Sequence, residues 1–169
     1  VNARELAAQE LPGLPVRVVD THGLAMSHGF AVLAAARAAE AGADLDEAAA
    51  AAVGSRVHLV GALNTMRYLA KSGRVPWIVH WAASLLEIKP LLAAGAEKVG
   101  GVGRARTMTR ALAQLLRYLE ERVQPGTPLH VAVMHADVPN RAGELAERVR
   151  QRFAPAELIV TEFSSVMGI

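Results

Sequence analysis

The chain has no cysteine. That excludes a disulfide scaffold, a thiolate metal site and a cysteine nucleophile, and it fits a reducing compartment. Aromatic residues are scarce, at 4%, and basic residues are not interleaved with stacking rings. With a formal charge of only +2, nothing points to nucleic acid. No apolar run approaches the ~18–20 residues that span a bilayer. The N-terminal VNARELAAQELPG carries acids where a signal peptide would have its apolar region. Internal repeats and low-complexity linkers are absent too.

Marks of catalysis are equally thin. There is no Gly-x-Ser-x-Gly elbow. Ser27 and His28 are adjacent, which on a helix turns them ~100° apart, a poor nucleophile–base pair. Gly100-Gly101-Val102-Gly103-Arg104 lacks the Gly-Lys-Ser/Thr ending and the Gly-x-Gly-x-x-Gly spacing of phosphate loops. Its glycines suit a turn or bulge instead. Of six histidines, His130 and His135 lie on a predicted strand and, five apart, face opposite sides. His22 and His28 flank a turn beside Asp20 without a third ligand, so no metal site is expected.

What the chain has is alanine. It is 52% apolar over 169 residues, enough for one domain or one and a half. A short helix covers Val1–Glu10. Val16–Val19 reads as a strand feeding the turn Asp20-Thr21-His22-Gly23. Helices follow over Leu24–Ala41, ended by Gly42, and from Leu45 to about Val57, capped by Asp44 or Asp46. Leu59–Leu63 is a strand. Thr65 caps a helix over Met66–Lys71, and Pro76 opens another over Trp77–Glu87. Ile88–Leu92 and Lys98–Val102 read as a hairpin around Gly95. Thr107 or Thr109 begins the clearest helix, with Leu112, Leu115, Leu116, Leu119 and Val123 on one face. Leu129–Met134 is a strand, Asp137 and Pro139 start a helix, and Leu158–Val160 with Phe163 form the last strand.

This order predicts an α/β layered sandwich with a mixed sheet. A domain boundary is expected near Gly42–Asp46, dividing residues 1–42 from 43–169. Val1 is not a start methionine, and no helix follows the final strand, so both ends read as cuts through a larger protein.

The densest signal is Thr65–Leu112. Residues Met66–Arg110 hold eight Lys/Arg against two acids, so an otherwise acidic chain is locally basic. Inside this collar lies Trp77–Ile88, with both tryptophans. Its His80, Ser84 and Glu87 share a narrow stripe, and Trp77, Ile78, Trp81, Leu85 and Ile88 fill the rest. That pattern fits an ordinary core helix and equally one wall of an apolar cavity; Arg74 before it and Lys89 after it favour the cavity. Arg67, Lys71 and Arg74 form a stripe that also suits a solvated face. Arg74 after Gly73, and Arg106 after a glycine-rich turn, are placed to meet carboxylate or phosphate as a fork.

The ordered set Asp20-Thr21, Ser27-His28-Gly29, Thr65-Met-Arg-Tyr-Leu-Ala-Lys-Ser-Gly-Arg74, Leu86-Glu-Ile-Lys-Pro-Leu-Leu92, Arg106-Thr107 and His135-Ala136-Asp137 resembles the DegV family. That group of fatty-acid-binding proteins includes the B subunit of bacterial fatty acid kinase. Ala31 departs from it where a second glycine is common. The resemblance implies the end of an N-terminal α/β domain (1–42) and a lipid-tail-binding C-terminal domain (43–169) incomplete at its C-terminus. It also implies that residues holding the fatty-acid carboxylate lie before Val1 and after Ile169.

By the same resemblance the protein is a cytoplasmic, bacterial carrier in phospholipid metabolism, without catalysis or cofactor of its own. It would bury a long-chain fatty acid and present its carboxyl group to a fatty acid kinase catalytic subunit, which makes an acyl phosphate. Lipid contacts would come from Ser27, Leu63, Leu69, Trp77, Ile78, Trp81, Leu85 and Leu91. Arg74 and Arg106 would stand at the lipid mouth or the kinase contact. It would not span a membrane, though transient membrane contact is compatible. A C16 tail buried at ~0.8 kcal/mol per CH₂ represents on the order of 10 kcal/mol gross, cut considerably by ordering costs. The alternative is a small phosphosugar- or ketone-binding domain like that of dihydroxyacetone kinase, with His135 trapping a carbonyl.

Overall fold

The computed structural model describes residues 2–54, 57–71, 73, 88–94 and 99–164. The chain divides into two compact units, Val1–His58 and Leu59–Ile169.

The first unit contains helices α1 (Asn2–Glu10), α2 (Met26–Glu40) and α3 (Leu45–Gly54). Gly42, at φ 94°, ends α2 as expected. The Ala43 N–H reaches the Ala38 carbonyl at 3.0 Å and the Gly42 N–H reaches Ala39 at 3.0 Å, a Schellman turn that needs a left-handed residue where glycine stands. Asp44, not Asp46, caps α3. Its Oδ1 accepts the N–H groups of Asp46 and Glu47, each at 2.9 Å, while Glu47 Oε2 accepts the Asp44 N–H at 3.0 Å. This reciprocal box satisfies donors that a helix start leaves open. The turn folds α3 back onto α2, so the boundary expected at Gly42–Asp46 falls inside the first unit. Arg17 and Asp46 form an exposed ion pair. Val16–Val19 is not a strand. A β-rich run becomes a strand only with a ladder partner, and the described residues of this unit supply none.

The second unit opens with β1 (Leu59–Ala62) and α4 (Arg67–Lys71) and continues with β2 (Lys89–Ala94) and β3 (Val99–Ala105). The expected hairpin is present: β2 pairs antiparallel with both β1 and β3. Helix α5 (Met108–Glu120), strand β4 (His130–His135), helix α6 (Pro139–Phe153) and strand β5 (Glu157–Glu162) complete the unit. Strands β4 and β5 are parallel, joined through α6. The α/β reading with both kinds of pairing therefore holds, with antiparallel and parallel ladders forming two sheets among the described residues. No described helix is long and apolar enough to cross a membrane.

Thr107 begins α5, in extended conformation, its hydroxyl accepting the Arg110 N–H at 3.3 Å. The helix is buried along two edges. Ala111 and Leu115 pack with Leu91 and Ala105 on the antiparallel sheet. Leu116 packs with Val131, Val133, Ala142, Ala146 and Val149 in the parallel β–α–β part. Leu145 of α6 touches both clusters. Helix α6 has Pro139 at its first position, where a missing N–H costs nothing. Asp137, expected to start it with Pro139, lies before it at φ 53°, and the cap residue Val138 contributes no side-chain bond.

Candidate functional site

Pairing register assigns the two faces of the antiparallel sheet. Because side chains alternate along a strand, Val60, Ala62, Leu91 and Ala105 lie on one face, and their common cluster with α5 bears this out. The other face carries Leu59, Gly61, Pro90 and Leu92. Gly61, Leu92 and Gly101 are direct cross-strand neighbours, so one leucine stands between two residues without side chains. A β-carbon added at Gly61 would meet no described atom within 4 Å. Beside this trough Met66, buried just before α4, packs with Leu63, Ala70 and Leu92. The sheet thus has a packed side against α5 and an apolar, glycine-floored side rimmed by Leu63 and Met66.

Of the expected lipid contacts, Leu63 stands at this rim, its N–H bonded to the Pro90 carbonyl at 3.0 Å. Leu91 is only 2% exposed and packs on the α5 side. Leu69 lies on α4, where only its backbone is described. Arg74, Trp77, Ile78, Trp81 and Leu85 lie outside the described residues. Gly73, just before Arg74, has φ 67°, a conformation that favours glycine.

Ser27 sits in the first unit, in the first turn of α2. Its hydroxyl donates to the Leu24 carbonyl at 2.6 Å and accepts the Leu24 N–H at 2.9 Å. A ligand taking the Ser27 proton would have to displace Leu24. His28 does not pair with Ser27; its Nδ1 meets Thr21 Oγ1 at 2.8 Å. Asp20 accepts the His22 N–H at 2.8 Å. His22 and Ala25 hold φ values of 47° and 51°, strain of order 1–3 kcal/mol each for residues with a β-carbon. The turn is stapled by its own side chains.

The basic collar resolves into members with different duties. Lys89 is engaged within the fold: its Nζ donates to the Asn64 carbonyl at 2.9 Å, tying the segment after β1 to the start of β2. Arg67 and Lys71 are exposed on α4. Arg104, Arg106 and Arg110 are exposed around the junction of β3 and α5, and none of the three has an acidic partner among the described residues. Arg110 lies in the first turn of α5, which contains no acid. A cation there opposes the helix dipole, so this junction is positive beyond its count of arginines.

His130 Nδ1 pairs with Glu157 Oε2 across the parallel strands at 2.8 Å. At the other end of β4, His135 Nδ1 is buried without a hydrogen-bond partner among the described residues. Among the described residues no group of three or more His, Asp or Glu is arranged to hold a metal ion.

A family model described as "Uncharacterised protein, DegV family" matches residues 1–169. The chain belongs to the DegV family. A DegV domain-containing protein of Streptomyces coelicolor is 38% identical over 172 residues, covering 99% of this chain and 60% of that protein. The chain thus spans about 60% of the length of such curated DegV relatives. Among solved structures, a fatty-acid-binding DegV family protein from Thermus thermophilus superposes with a TM-score of 0.78 at 28% identity, over 95% of this chain and 58% of that one. A DegV family protein from Eubacterium eligens, solved loaded with heptadecanoic acid, shares the fold at a TM-score of 0.80 and 22% identity, over 95% of this chain and 59% of that one.

Reading the DegV chain as a sequence missed Gly61, Met66, Leu92 and Gln114. The first three were legible in principle. Alternation along Leu59–Leu63 and Lys89–Ala94 assigns faces once the two strands are paired in register. Gln114 carried no such signal, because nothing local marks a helical glutamine that reaches a strand.

Proposed function

We propose that this chain is the tail-binding part of a fatty acid carrier that has no catalysis of its own. The observation that carries the reading is the sheet face opposite α5, where Leu92 stands between Gly61 and Gly101 beside Leu63 and Met66. A methylene chain needs a long, unbranched apolar channel without polar demands. Cross-strand glycines open one by removing side chains from the floor. Family membership and the fatty-acid-binding Thermus relative support the same ligand class. In this reading Leu63, Leu69, Trp77, Ile78, Trp81 and Leu85 contribute to the wall, Leu91 supports the sheet from its α5 side, and Ser27, in the first turn of α2, is a lipid contact on the family resemblance alone.

The carrier presents the fatty-acid carboxyl group to a separate kinase, with Arg74 and Arg106 at the lipid mouth or docking surface. The uncompensated positive charge around the β3–α5 junction suits an acidic partner surface. The cytoplasm is the compartment where ATP and such a kinase meet it. The carbonyl-trapping alternative has His135 alone behind it, and one ring nitrogen of that residue is buried.

Native mass spectrometry of the purified chain tests the ligand class. We expect adducts at the masses of C14–C18 fatty acids, lost on delipidation and restored by added palmitate. No adduct before or after loading would overturn the reading.

A further inference from the structure

Strand β2 turns the Pro90 carbonyl towards β1, where the Leu63 N–H bonds it at 3.0 Å. Arg104 lies directly opposite Pro90 on β3. In an antiparallel pair, opposed residues either exchange both bonds or both face away, so Arg104 turns its own carbonyl away from β2, to the other edge of β3. Gln114, half-buried on α5, meets it there: Nε2 donates to the Arg104 carbonyl at 3.1 Å. The other end of the same amide lies against a neighbouring residue. A β-carbon at position 103 would lie 2.8 Å from Gln114 Oε1, so the amide would have to shift to admit one.

The register shift between Leu91 and Leu92 leaves Val102 as the extra residue of β3. Such a bulge re-aims the residues that follow it. Beyond it Ala105 is buried against α5, while Arg104 and Arg106 on either side are exposed. The arginine-bearing end of β3 is therefore set by a bulge before it, the Thr107 cap after it, and one amide clamping its outer edge.

We propose that Gln114, with the space left by Gly103, is the positioning residue that holds Arg104 and Arg106 in place for an acidic protein partner. This rests on the docking role given above to Arg106. The clamp does not touch the lipid face, since Gly103 and Gln114 lie on the α5 side with Leu91. It should separate partner docking from lipid binding.

The test uses the lipid-loaded chain with a bacterial fatty acid kinase catalytic subunit, ATP and palmitate, and follows acyl phosphate as its hydroxamate. Gln114→Met keeps the side-chain length and removes the amide. It should raise the KM for the carrier about tenfold, as Arg106→Ala should, with kcat and palmitate affinity unchanged. Backbone deuterium exchange over residues 103–107 should quicken. Gly103→Ala should act in the same direction, and adding Gln114→Ala to it should cost nothing further, because both changes break one contact. A wild-type KM for Gln114→Met beside a raised KM for Arg106→Ala would overturn the clamp. An unchanged KM for Arg106→Ala would overturn the docking reading itself.

Discussion

Among the described residues of the first unit the buried apolar side chains are Ala31 and Ala52, while Leu6, Leu11, Leu14, Val18, Val32, Leu45 and Val53 are exposed. In the second unit Met66, Leu91, Leu115, Leu116, Val131, Val133 and Val149 are all buried. Charge divides the same way. Residues 1–58 hold four Lys/Arg against seven Asp/Glu, and residues 59–169 hold fourteen against nine. The first unit is held by local devices: the Schellman turn, the Asp44–Glu47 box and the exposed Arg17–Asp46 pair. Of these, an exposed ion pair contributes ~0–1 kcal/mol. The second unit removes large side chains from water at ~25 cal/mol per Å². High alanine content alone does not make a core; that depends on where the few large side chains fall.

The sharpest way to break this comparison is to delete the same kind of atoms from both units. Leu91→Ala should destabilise the chain by ~2–5 kcal/mol, the usual range for a leucine packed on all sides. Val53→Ala, at a side chain 64% exposed, should stay within about 0.5 kcal/mol. Urea unfolding followed by circular dichroism measures both. A Val53 loss comparable to that of Leu91 would mean the first unit has a core of its own.

The contrast also explains how far sequence reasoning reached. Helices α5 and α6 were legible because amphipathic spacing and the signals at Thr107 and Pro139 agree with the packing that finally holds them. The hairpin was legible from Gly95 between two β-rich runs. Val16–Val19 misled because strand propensity is local while strand formation needs a partner, and a partner is not written into the run itself. Lys89 read as part of a cationic collar because its charge is visible in the sequence; its bond to the Asn64 carbonyl depends on β1 and β2 lying side by side. The trough was hidden for the same reason. Gly61 and Gly101 are ordinary glycines until pairing sets both against Leu92. The tryptophan segment that dominated the sequence lies outside the described residues, so its wall role rests on the sequence pattern and on resemblance.

A second, smaller effect separates the two faces of the antiparallel sheet. Gly61→Leu places a side chain in the trough, where an added β-carbon meets no described atom within 4 Å. It should lower palmitate affinity about tenfold or more, roughly 1.4 kcal/mol, with the midpoint of urea unfolding of the lipid-free chain near wild type. Leu91→Ala, on the packed face, should do the reverse, with stability lost first. Isothermal titration with palmitate, beside unfolding of the lipid-free proteins, checks both. A Gly61→Leu chain that unfolds early yet binds palmitate normally would identify the face as core and move the lipid elsewhere.

The smallest effect belongs to Glu147 on α6, where the second unit uses the surface devices typical of the first. Its carboxylate accepts from Gln151 Nε2 at 2.8 Å and from Arg150 Nη1 at 2.5 Å. The Gln151 bond first, and the Arg150 bond after it, hold the carboxyl below the usual glutamate range. A pKa lower in the folded state than in the unfolded one means that the unfolded chain takes up the proton more readily. The stabilisation is therefore complete above the ordinary glutamate pKa of ~4.3 and disappears as pH falls through the lower folded value. Because the group is fully exposed, solvent screening keeps the contribution small. Glu147→Gln should lower the urea midpoint slightly at pH 7 and match wild type once both proteins are below the carboxylate range. The Leu91→Ala loss, which involves no proton, should be the same at both pH values. A Glu147→Gln difference that persisted unchanged in acid would assign its effect to packing rather than charge, and would place even this exposed corner of the second unit with its core.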